Sequence, residues 1–150
     1  MREAIEDSRQ WKSLGYGGPF GALVVRDSEI IARGFNQVVK NNDPTAHAEV
    51  LAIRNACRIL GTHSLAGCEI FASCEPCPMC MAAIYWARID RVWFACTHLD
   101  ASSAGFDDSL IYREISLPPK TRELPMSQLL REEALEVLEA WARSEDKIIY

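Results

Sequence analysis

His47, Glu49, Cys77 and Cys80 are the residues whose types and spacing indicate a reactive site. One imidazole and two thiolates supply three ligands for a zinc ion, which leaves a fourth position for water. Three protein ligands with an open position are typical of catalytic zinc, whereas structural zinc uses four protein ligands. Zinc lowers the pKa of a bound water toward ~7, and Glu49 would move protons beside it. The pattern therefore predicts one Zn²⁺ per subunit with a bound water or hydroxide.

The predicted helices around these residues explain how they can meet at one point. Cys77 and Cys80 are three residues apart in the first turn of a helix, so both sulfur atoms lie on one side of it. The helix dipole at that end favours the thiolate form. His47 and Glu49 lie at the start of another helix, where both side chains can lean past the terminus. Two helix N-termini are therefore expected to hold the site.

A structural zinc site, closed by a fourth protein ligand, is the alternative. Cys74 is the candidate fourth ligand, because Cys74, Cys77 and Cys80 repeat one spacing. Cys74 ends a predicted strand before Pro76, so its side chain need not face the metal, and we expect a buried thiol. The remaining cysteines are expected to be packing residues, and the remaining histidines surface or hydrogen-bonded residues: Cys57, Cys68, Cys96, His63 and His98.

Composition limits the class of protein and of substrate. The 150 residues suit a single domain, and contents of 49% apolar and 25% charged residues are typical of a soluble globular protein. No apolar run approaches the roughly 18 residues that span a bilayer, and the N-terminus is too charged for a signal peptide, so we expect a cytoplasmic protein. The net charge of −5 and the dispersed basic residues favour a small substrate over nucleic acid.

The elements that must position the site follow from the apolar pattern. Helices are predicted over residues 5–14, from about residue 46 to 60, 78–87 and 131–143, and strands over 20–25, 29–35, 68–72 and 91–95. Strands that alternate with helices predict parallel pairing, right-handed crossovers and helices on both faces of the sheet. The sequence shows no repeat or domain boundary, so we expect one domain over residues 1–150 with a tail at about 144–150.

The chain resembles the cytidine and nucleobase deaminase superfamily over roughly residues 17–96. The spacing H-x-E…P-C-x-x-C is the signature of zinc nucleobase deaminases. The matching stretches are residues 17–22, 42–49 and 73–80, which tRNA adenosine deaminases share, so they indicate the chemistry without fixing the substrate. The resemblance implies an α/β fold, a three-layer α/β/α sandwich around a five-stranded mixed sheet. Four strands are clear in the sequence, and the fifth is expected near residues 122–130, disturbed by Pro125.

A further part of the chain is similar to the bacterial guanine deaminases of this superfamily. The matching residues are 97–101, 104–112 and the final Tyr150. This resemblance implies that His47, Cys77 and Cys80 are the zinc ligands and that Glu49 is the proton shuttle. It favours hydrolytic deamination of free guanine to xanthine and ammonia, with a purine base as the substrate.

The same resemblance implies substrate contacts, each with a simpler alternative. Asn36 would hold the purine ring, or it is a turn residue. Asp108 would assist proton transfer beside the NH-rich edge of guanine, or it caps a short helix. The aromatic rings of Phe20 and Trp86 are suited to stacking on a purine, although core packing is an equal expectation. Tyr150 would close the pocket from a partner subunit in a homodimer with exchanged C-terminal segments, or it frays as termini do.

Two other functions stay open from the sequence alone. The first is deamination of another substrate, such as tRNA adenosine, cytosine or a related aminated heterocycle. The second is a zinc-stabilised interaction module without activity. Glu49 argues against the second alternative, because a purely structural zinc site needs no proton shuttle beside an open position.

Overall fold

The structure is a computed structural model that describes residues 1–149, so the predicted role of Tyr150 lies outside the described residues. The strands are β1 (Gly21–Arg26), β2 (Glu29–Phe35), β3 (Glu69–Cys74) and β4 (Arg91–Cys96). The helices are α1 (Arg2–Ser8), α2 (Trp11–Leu14), α3 (Val38–Asn41), α4 (Ala48–Leu60), α5 (Pro78–Trp86), α6 (His98–Ser103), α7 (Ser109–Ser116) and α8 (Arg131–Arg143), with a 3₁₀ turn at Pro119–Thr121.

The four strands form one mixed sheet in the order β2-β1-β3-β4. β1 is antiparallel to both of its neighbours, and β3 is parallel to β4. The predicted parallel pairing is therefore confirmed for β3 and β4 but wrong for β2 and β3, because β1 lies between them. Asp27 and Ser28, both with left-handed φ, form the tight turn that folds β1 back on β2. As a result β2, β3 and β4 all run in the same direction.

The predicted fifth strand is wrong for the part of the chain that the structure describes. Residues 122–130 form no strand there, and a 3₁₀ turn at Pro119–Thr121 precedes them. Pro125 has no backbone N–H for a sheet ladder, which weakens this stretch as a strand. The fold is thus an α/β fold around a mixed sheet of four strands among the described residues.

Helices cover both faces of the sheet, as predicted. A Cβ atom on Gly34 of β2 would lie 2.1 Å from the carbonyl oxygen of Ala48 in α4, so the two backbones touch. A Cβ atom on Gly21 of β1 would lie 2.4 Å from the carbonyl oxygen of Ala4 in α1. Because Ala22, the residue after Gly21, pairs with Gly34, the two glycines face opposite sides of the sheet. The main core lies on the α4 side, where α5 also packs.

The helix predictions hold with local differences. The first predicted helix is divided into α1 and α2, whereas α8 has the predicted bounds.

The chain divides into two compact units, Met1–Asp108 and Ser109–Tyr150; the first contains the sheet and α1 to α6, and the second contains α7 and α8. Among residues 1–149, no helix has both the length and the apolar character needed to cross a bilayer.

Candidate metal centre

The N-termini of α4 and α5 bring three potential metal ligands together. His47 is the N-cap of α4, Cys77 is the N-cap of α5, and Cys80 lies in the first turn of α5. Nδ1 of His47 lies 3.6 Å from Sγ of Cys77 and 3.5 Å from Sγ of Cys80. All three ligand atoms lie within 4.8 Å of one another. The structure thus places the predicted zinc ligands at one point.

The distances in this cluster fit a tetrahedral zinc ion. With Zn–S bonds of about 2.3 Å and Zn–N bonds of about 2.05 Å, a nitrogen and a sulfur on one tetrahedral ion lie about 3.6 Å apart. The two N–S distances of 3.6 Å and 3.5 Å match this separation. One imidazole and two thiolates are also a ligand set that zinc prefers.

The local backbone explains why both helices begin at a ligand. The N-cap residues His47 and Cys77 have extended ψ angles of 156° and 168°, so each side chain points beyond its helix. Pro78 follows at the first helical position, where its missing N–H costs no helix hydrogen bond. Before α4, the backbone N–H and hydroxyl of Thr45 donate to Oδ1 of Asp43 at 2.8 Å and 2.7 Å, which shapes the loop that leads into His47.

The two thiols differ strongly in acidity. A hydrogen bond from Cys80, followed by that of His47, lowers the pKa of Cys77 to about 4. The hydrogen bond with Cys77 and burial both raise the pKa of Cys80. The pKa of His47 is raised, mainly by its hydrogen bond with Cys77. Cys80 therefore keeps a proton when no cation is bound, and a metal ion must displace that proton.

Glu49 lies beside the ligands and away from solvent. Its side chain is only 7% exposed, and burial raises its pKa. Oε2 of Glu49 accepts a hydrogen bond from Sγ of Cys80 at 3.5 Å. A carboxyl group that gains a proton more readily than usual, next to three clustered metal-ligand atoms, is suited to proton transfer.

Asn36 follows β2, and backbone N–H groups hold its side chain. Oδ1 of Asn36 accepts hydrogen bonds from the N–H groups of Gly18 and Val38, both at 3.2 Å, and the residue is 7% exposed. A Cβ atom on Gly17 would lie 2.0 Å from this oxygen, so residue 17 must be glycine for the amide to sit here. The amide oxygen is therefore occupied, and the NH₂ group is the part that can face a substrate.

Asp108 and Phe20 have intermediate burial. Burial raises the pKa of Asp108, the nearby thiol of Cys77 raises it further, and His98 lowers it. Cys77 and His98 are therefore among the groups whose charge acts on the Asp108 carboxyl. Phe20 packs against the core, and its ring meets that of Phe106 edge-on, with centroids 4.9 Å apart. The packing alternative for Phe20 is thus satisfied without a substrate.

Trp86 is not brought to the cluster within the described chain. It is the last residue of α5, about 12 Å along the helix from the end that carries the thiols, since each residue adds about 1.5 Å. Its side chain is 69% exposed, which also differs from the core-packing alternative.

The other cysteines divide into buried and exposed thiols. Cys74 is buried, donates to the carbonyl oxygen of Thr97 at 3.4 Å, and has its pKa raised to about 11 by burial, which confirms the predicted buried thiol. Cys57 and Cys68 pack in or against the core as predicted. Cys96 is exposed, so the packing prediction for it is wrong, because β4 is an edge strand.

Glu75 was not singled out from the sequence, and His98 was expected to be a surface or hydrogen-bonded histidine, which its bond to Glu75 confirms. Oε2 of Glu75 accepts hydrogen bonds from the backbone N–H and from ring Nδ1 of His98, both at 3.0 Å. The signal for this pair is topological: each residue follows the C-terminal end of one of two neighbouring parallel strands. Only after β3 and β4 are paired does the sequence bring these two side chains together.

Comparison with known proteins supports this picture. Residues 1–96 match the model of the cytidine and deoxycytidylate deaminase zinc-binding region. The chain is 49% identical to a guanine deaminase from Bacillus subtilis strain 168 over 150 residues, which are 100% of this chain and 96% of the relative. It is also 49% identical to a tRNA-specific adenosine deaminase from Aquifex aeolicus strain VF5, over 77 residues that make up 51% of each chain.

A solved structure is similar over almost the whole chain. The X-ray structure of the guanine deaminase from Bacillus subtilis has a TM-score of 0.95 and 49% sequence identity, and the match covers 99% of this chain and 95% of that one. The family match spans more than half of the chain and contains the whole His47, Cys77 and Cys80 cluster. The chain therefore belongs to the cytidine and deoxycytidylate deaminase family of zinc-binding proteins.

Proposed function

We propose that the chain is a zinc-dependent enzyme that hydrolyses free guanine to xanthine and ammonia. The observation that carries this proposal is the buried Glu49 carboxyl group next to three ligand atoms spaced for one zinc ion. Similarity to the guanine deaminase of Bacillus subtilis over the full chain supports guanine as the substrate. Dispersed basic residues and the net charge of −5 agree with a small, uncharged base.

His47, Cys77 and Cys80 would hold one Zn²⁺ per subunit and leave a fourth position for water. Bound zinc would lower the pKa of that water and so supply a nucleophile near neutral pH. The chain's own contribution begins with the N-terminus of α5, whose dipole favours the anionic form of Cys77 at its N-cap. Cys80, whose pKa is raised, would release its proton when the metal binds.

Glu49 would carry the protons of the reaction. Addition of water to C2 of guanine requires that one water proton move to a ring nitrogen, and loss of ammonia requires that another reach the departing amine. Glu49 would accept the first proton, deliver it to the ring, and then protonate the leaving group. Burial raises its pKa, which brings the carboxyl group closer to the acidity that two-way transfer near neutral pH needs.

Three further side chains would orient the purine. The NH₂ group of Asn36 would donate to an acceptor atom of the ring, because its oxygen is already bonded to two backbone N–H groups. Asp108 would accept from the NH-rich edge of guanine and assist proton transfer. Phe20 would offer the edge or face of its ring. Trp86, at the far end of α5, stays a prediction as a stacking residue, and Tyr150 stays a prediction in which a partner subunit supplies the residue.

An assay of ammonia release tests the proposal. Zinc-loaded protein is incubated with guanine, adenine, cytosine and their nucleosides, and xanthine formation is followed in parallel. We expect rapid turnover of guanine and at least about 10²-fold lower kcat/KM for adenine, because a site that bonds polar edges rejects bases that lack them. Absence of guanine turnover would end this assignment.

Deamination of tRNA adenosine is the second candidate. The identity of 49% with the tRNA-specific enzyme of Aquifex aeolicus favours it, but that match covers only 51% of this chain. A tRNA enzyme should bind its substrate with a steep dependence on salt, and the net charge of −5 argues against such binding. Release of ammonia from tRNA, but not from guanine, would favour this candidate.

We also propose a cytoplasmic homodimer. Six free cysteines agree with a reducing compartment. Large apolar side chains are exposed on β4, with Trp93 at 42% and Phe94 at 47%, and on α8, with Leu138 at 64%. Exposed apolar groups at this density favour burial against a second copy, with C-terminal segments exchanged. Light scattering after size-exclusion chromatography should give twice the chain mass of 16.8 kDa; a monomer would contradict the proposal.

A further inference from the structure

The ends of β3 and β4 are joined by more than the sheet ladder. Glu75 lies between Cys74, the last residue of β3, and the loop that delivers Cys77, and His98 is the first residue of α6. Oε2 of Glu75 accepts from the backbone N–H and from Nδ1 of His98 at 3.0 Å each. A carboxylate can only accept, so the imidazole must carry its proton on Nδ1.

Two more hydrogen bonds strengthen the same junction. The N–H of Glu75 donates to the carbonyl oxygen of Cys96 at 2.8 Å, and Sγ of Cys74 donates to the carbonyl oxygen of Thr97 at 3.4 Å. Residues 74–75 are therefore bonded to residues 96–98 by both backbone and side chains. The Glu75 side chain is 30% exposed, which reduces screening of its bonds relative to a surface ion pair.

The junction continues toward Asp108 through α6. Thr97 and Asp100 form a capping box, in which the N–H and hydroxyl of Thr97 donate to Oδ2 of Asp100 at 2.8 Å and 2.7 Å. The N–H of Phe106 then donates to the carbonyl oxygen of Ala101 at 3.0 Å, two residues before Asp108. The charged and titratable groups that act on Asp108 are Cys77, Asp107 and His98, of which only His98 favours its anionic form.

We propose that His98 is a positioning residue: through Glu75 it fixes the loop that carries Cys77, and through α6 it fixes the segment that carries Asp108. This inference rests on the proposed function, because it assigns Asp108 to the substrate side of the site. In this role His98 acts through its hydrogen bonds to Glu75 and through its place at the start of α6. His98 thereby sets the distance between the loop that carries Cys77 and the segment that carries Asp108.

Cobalt binding tests the positioning role independently of turnover. The Co²⁺ affinity and the thiolate-to-cobalt absorption band are measured for wild type, His98→Ala and His98→Asn, with His63→Ala as the matched control at an exposed histidine. We expect His98→Ala to lower Co²⁺ affinity by roughly 10-fold and to shift the absorption band. This is the lower end of the range for groups that hydrogen-bond a metal ligand directly, because His98 acts on the Cys77 loop through Glu75. His98→Asn, whose amide N–H can still reach Glu75, should restore most of the affinity, and His63→Ala should match wild type.

Guanine kinetics provide the second measurement. We expect His98→Ala to lower kcat more than it raises KM, because a displaced Asp108 affects the reaction more than initial binding. A His98→Ala protein with wild-type cobalt affinity, absorption band and kcat would overturn the inference, as would an equal loss in His63→Ala. If His98→Ala does not fold, Glu75→Gln replaces it: a loss of Co²⁺ affinity supports the role, and wild-type affinity overturns it. The two proposals can fail separately. If wild type does not turn over guanine, the proposed function is wrong. If His98→Ala still binds Co²⁺ more weakly than that wild type, the positioning role stands.

Discussion

His47 and Cys77 occupy equivalent places at the starts of α4 and α5, whereas Asn36 and Asp108 lie in loops. His47 and Cys77 are helix N-caps, so the placement of these candidate metal ligands depends on where each helix starts and on local spacing. The Asn36 amide depends instead on N–H groups of Gly18 and Val38, and on the missing side chain of Gly17. If the proposed roles hold, metal binding is thus encoded by local spacing, and the choice of substrate is encoded in contacts between loops.

The largest expected effect concerns Glu49, the proposed proton shuttle beside the metal ligands. Glu49→Gln should lower kcat by about 10³-fold or more, because general acid and base steps depend on this one carboxyl group. Zinc content, measured by atomic emission, should stay at the wild-type level, because Glu49 is not among the three clustered ligands. Glu6→Gln, at an exposed position of α1, is the control. Loss of zinc or of folded structure in Glu49→Gln would favour a structural role for the site.

The next effect concerns the metal itself. Removal of zinc by a chelator should abolish turnover and lower the Tm, and added Zn²⁺ should restore both. Zinc affinity should fall as the pH falls, because hydrogen bonding and burial raise the pKa of Cys80 and its proton must leave before it binds metal. Calorimetry in buffers of different ionisation enthalpy measures the released protons. Affinity that does not change between pH 8 and pH 6, as rough limits, would contradict this linkage.

A smaller effect concerns Asn36, which we propose contacts the substrate. Asn36→Asp keeps an oxygen for the N–H groups of Gly18 and Val38 but replaces the amide donor with an acceptor. We expect kcat/KM for guanine to fall by about 10²-fold, mainly through KM, with zinc content unchanged. Gly17→Ala should have the same signature, because its Cβ atom would displace the Asn36 side chain. Gly67→Ala serves as the control, since nothing lies within 4 Å of its Cβ position, although its left-handed φ carries some strain.

Asn36→Asp with wild-type kinetics would show that the amide does not donate to the substrate. Equal losses in Gly17→Ala and Gly67→Ala would show that the effect of Gly17 is one of backbone strain. Either result would place substrate selection in other residues of the site.

The smallest effect tests whether Cys74 is a metal ligand. Cys74→Ala should keep zinc and turnover within about threefold of wild type, and should lower the free energy of unfolding by about 1 kcal/mol through loss of a buried thiol and its hydrogen bond. Urea unfolding and zinc analysis measure both quantities. Loss of zinc in Cys74→Ala would restore the four-ligand alternative.

Features that depend on the spacing of residues along the chain were predictable. Features that depend on which strands pair in the sheet were not. The convergence of His47, Glu49, Cys77 and Cys80 was predictable, because a helix start fixes neighbours within a few residues; their roles stay predictions. The insertion of β1 between β2 and β3 was missed, because alternating strands and helices do not reveal which strands become neighbours. The Glu75 and His98 pair was missed for the same reason. The exposure of Cys96 was also missed, since it depends on β4 being at the edge.

The common direction of β2, β3 and β4 has a practical consequence. Asn36, the Cys77 loop and His98 follow the ends of these three strands, so the proposed site lies at one rim of the sheet. The opposite rim holds the Asp27–Ser28 turn and the loop between α4 and β3. A fluorescent label or a peptide tag placed in the loop between α4 and β3 would lie at the rim opposite the proposed site. The protein immobilised through this loop would keep the proposed site facing the medium.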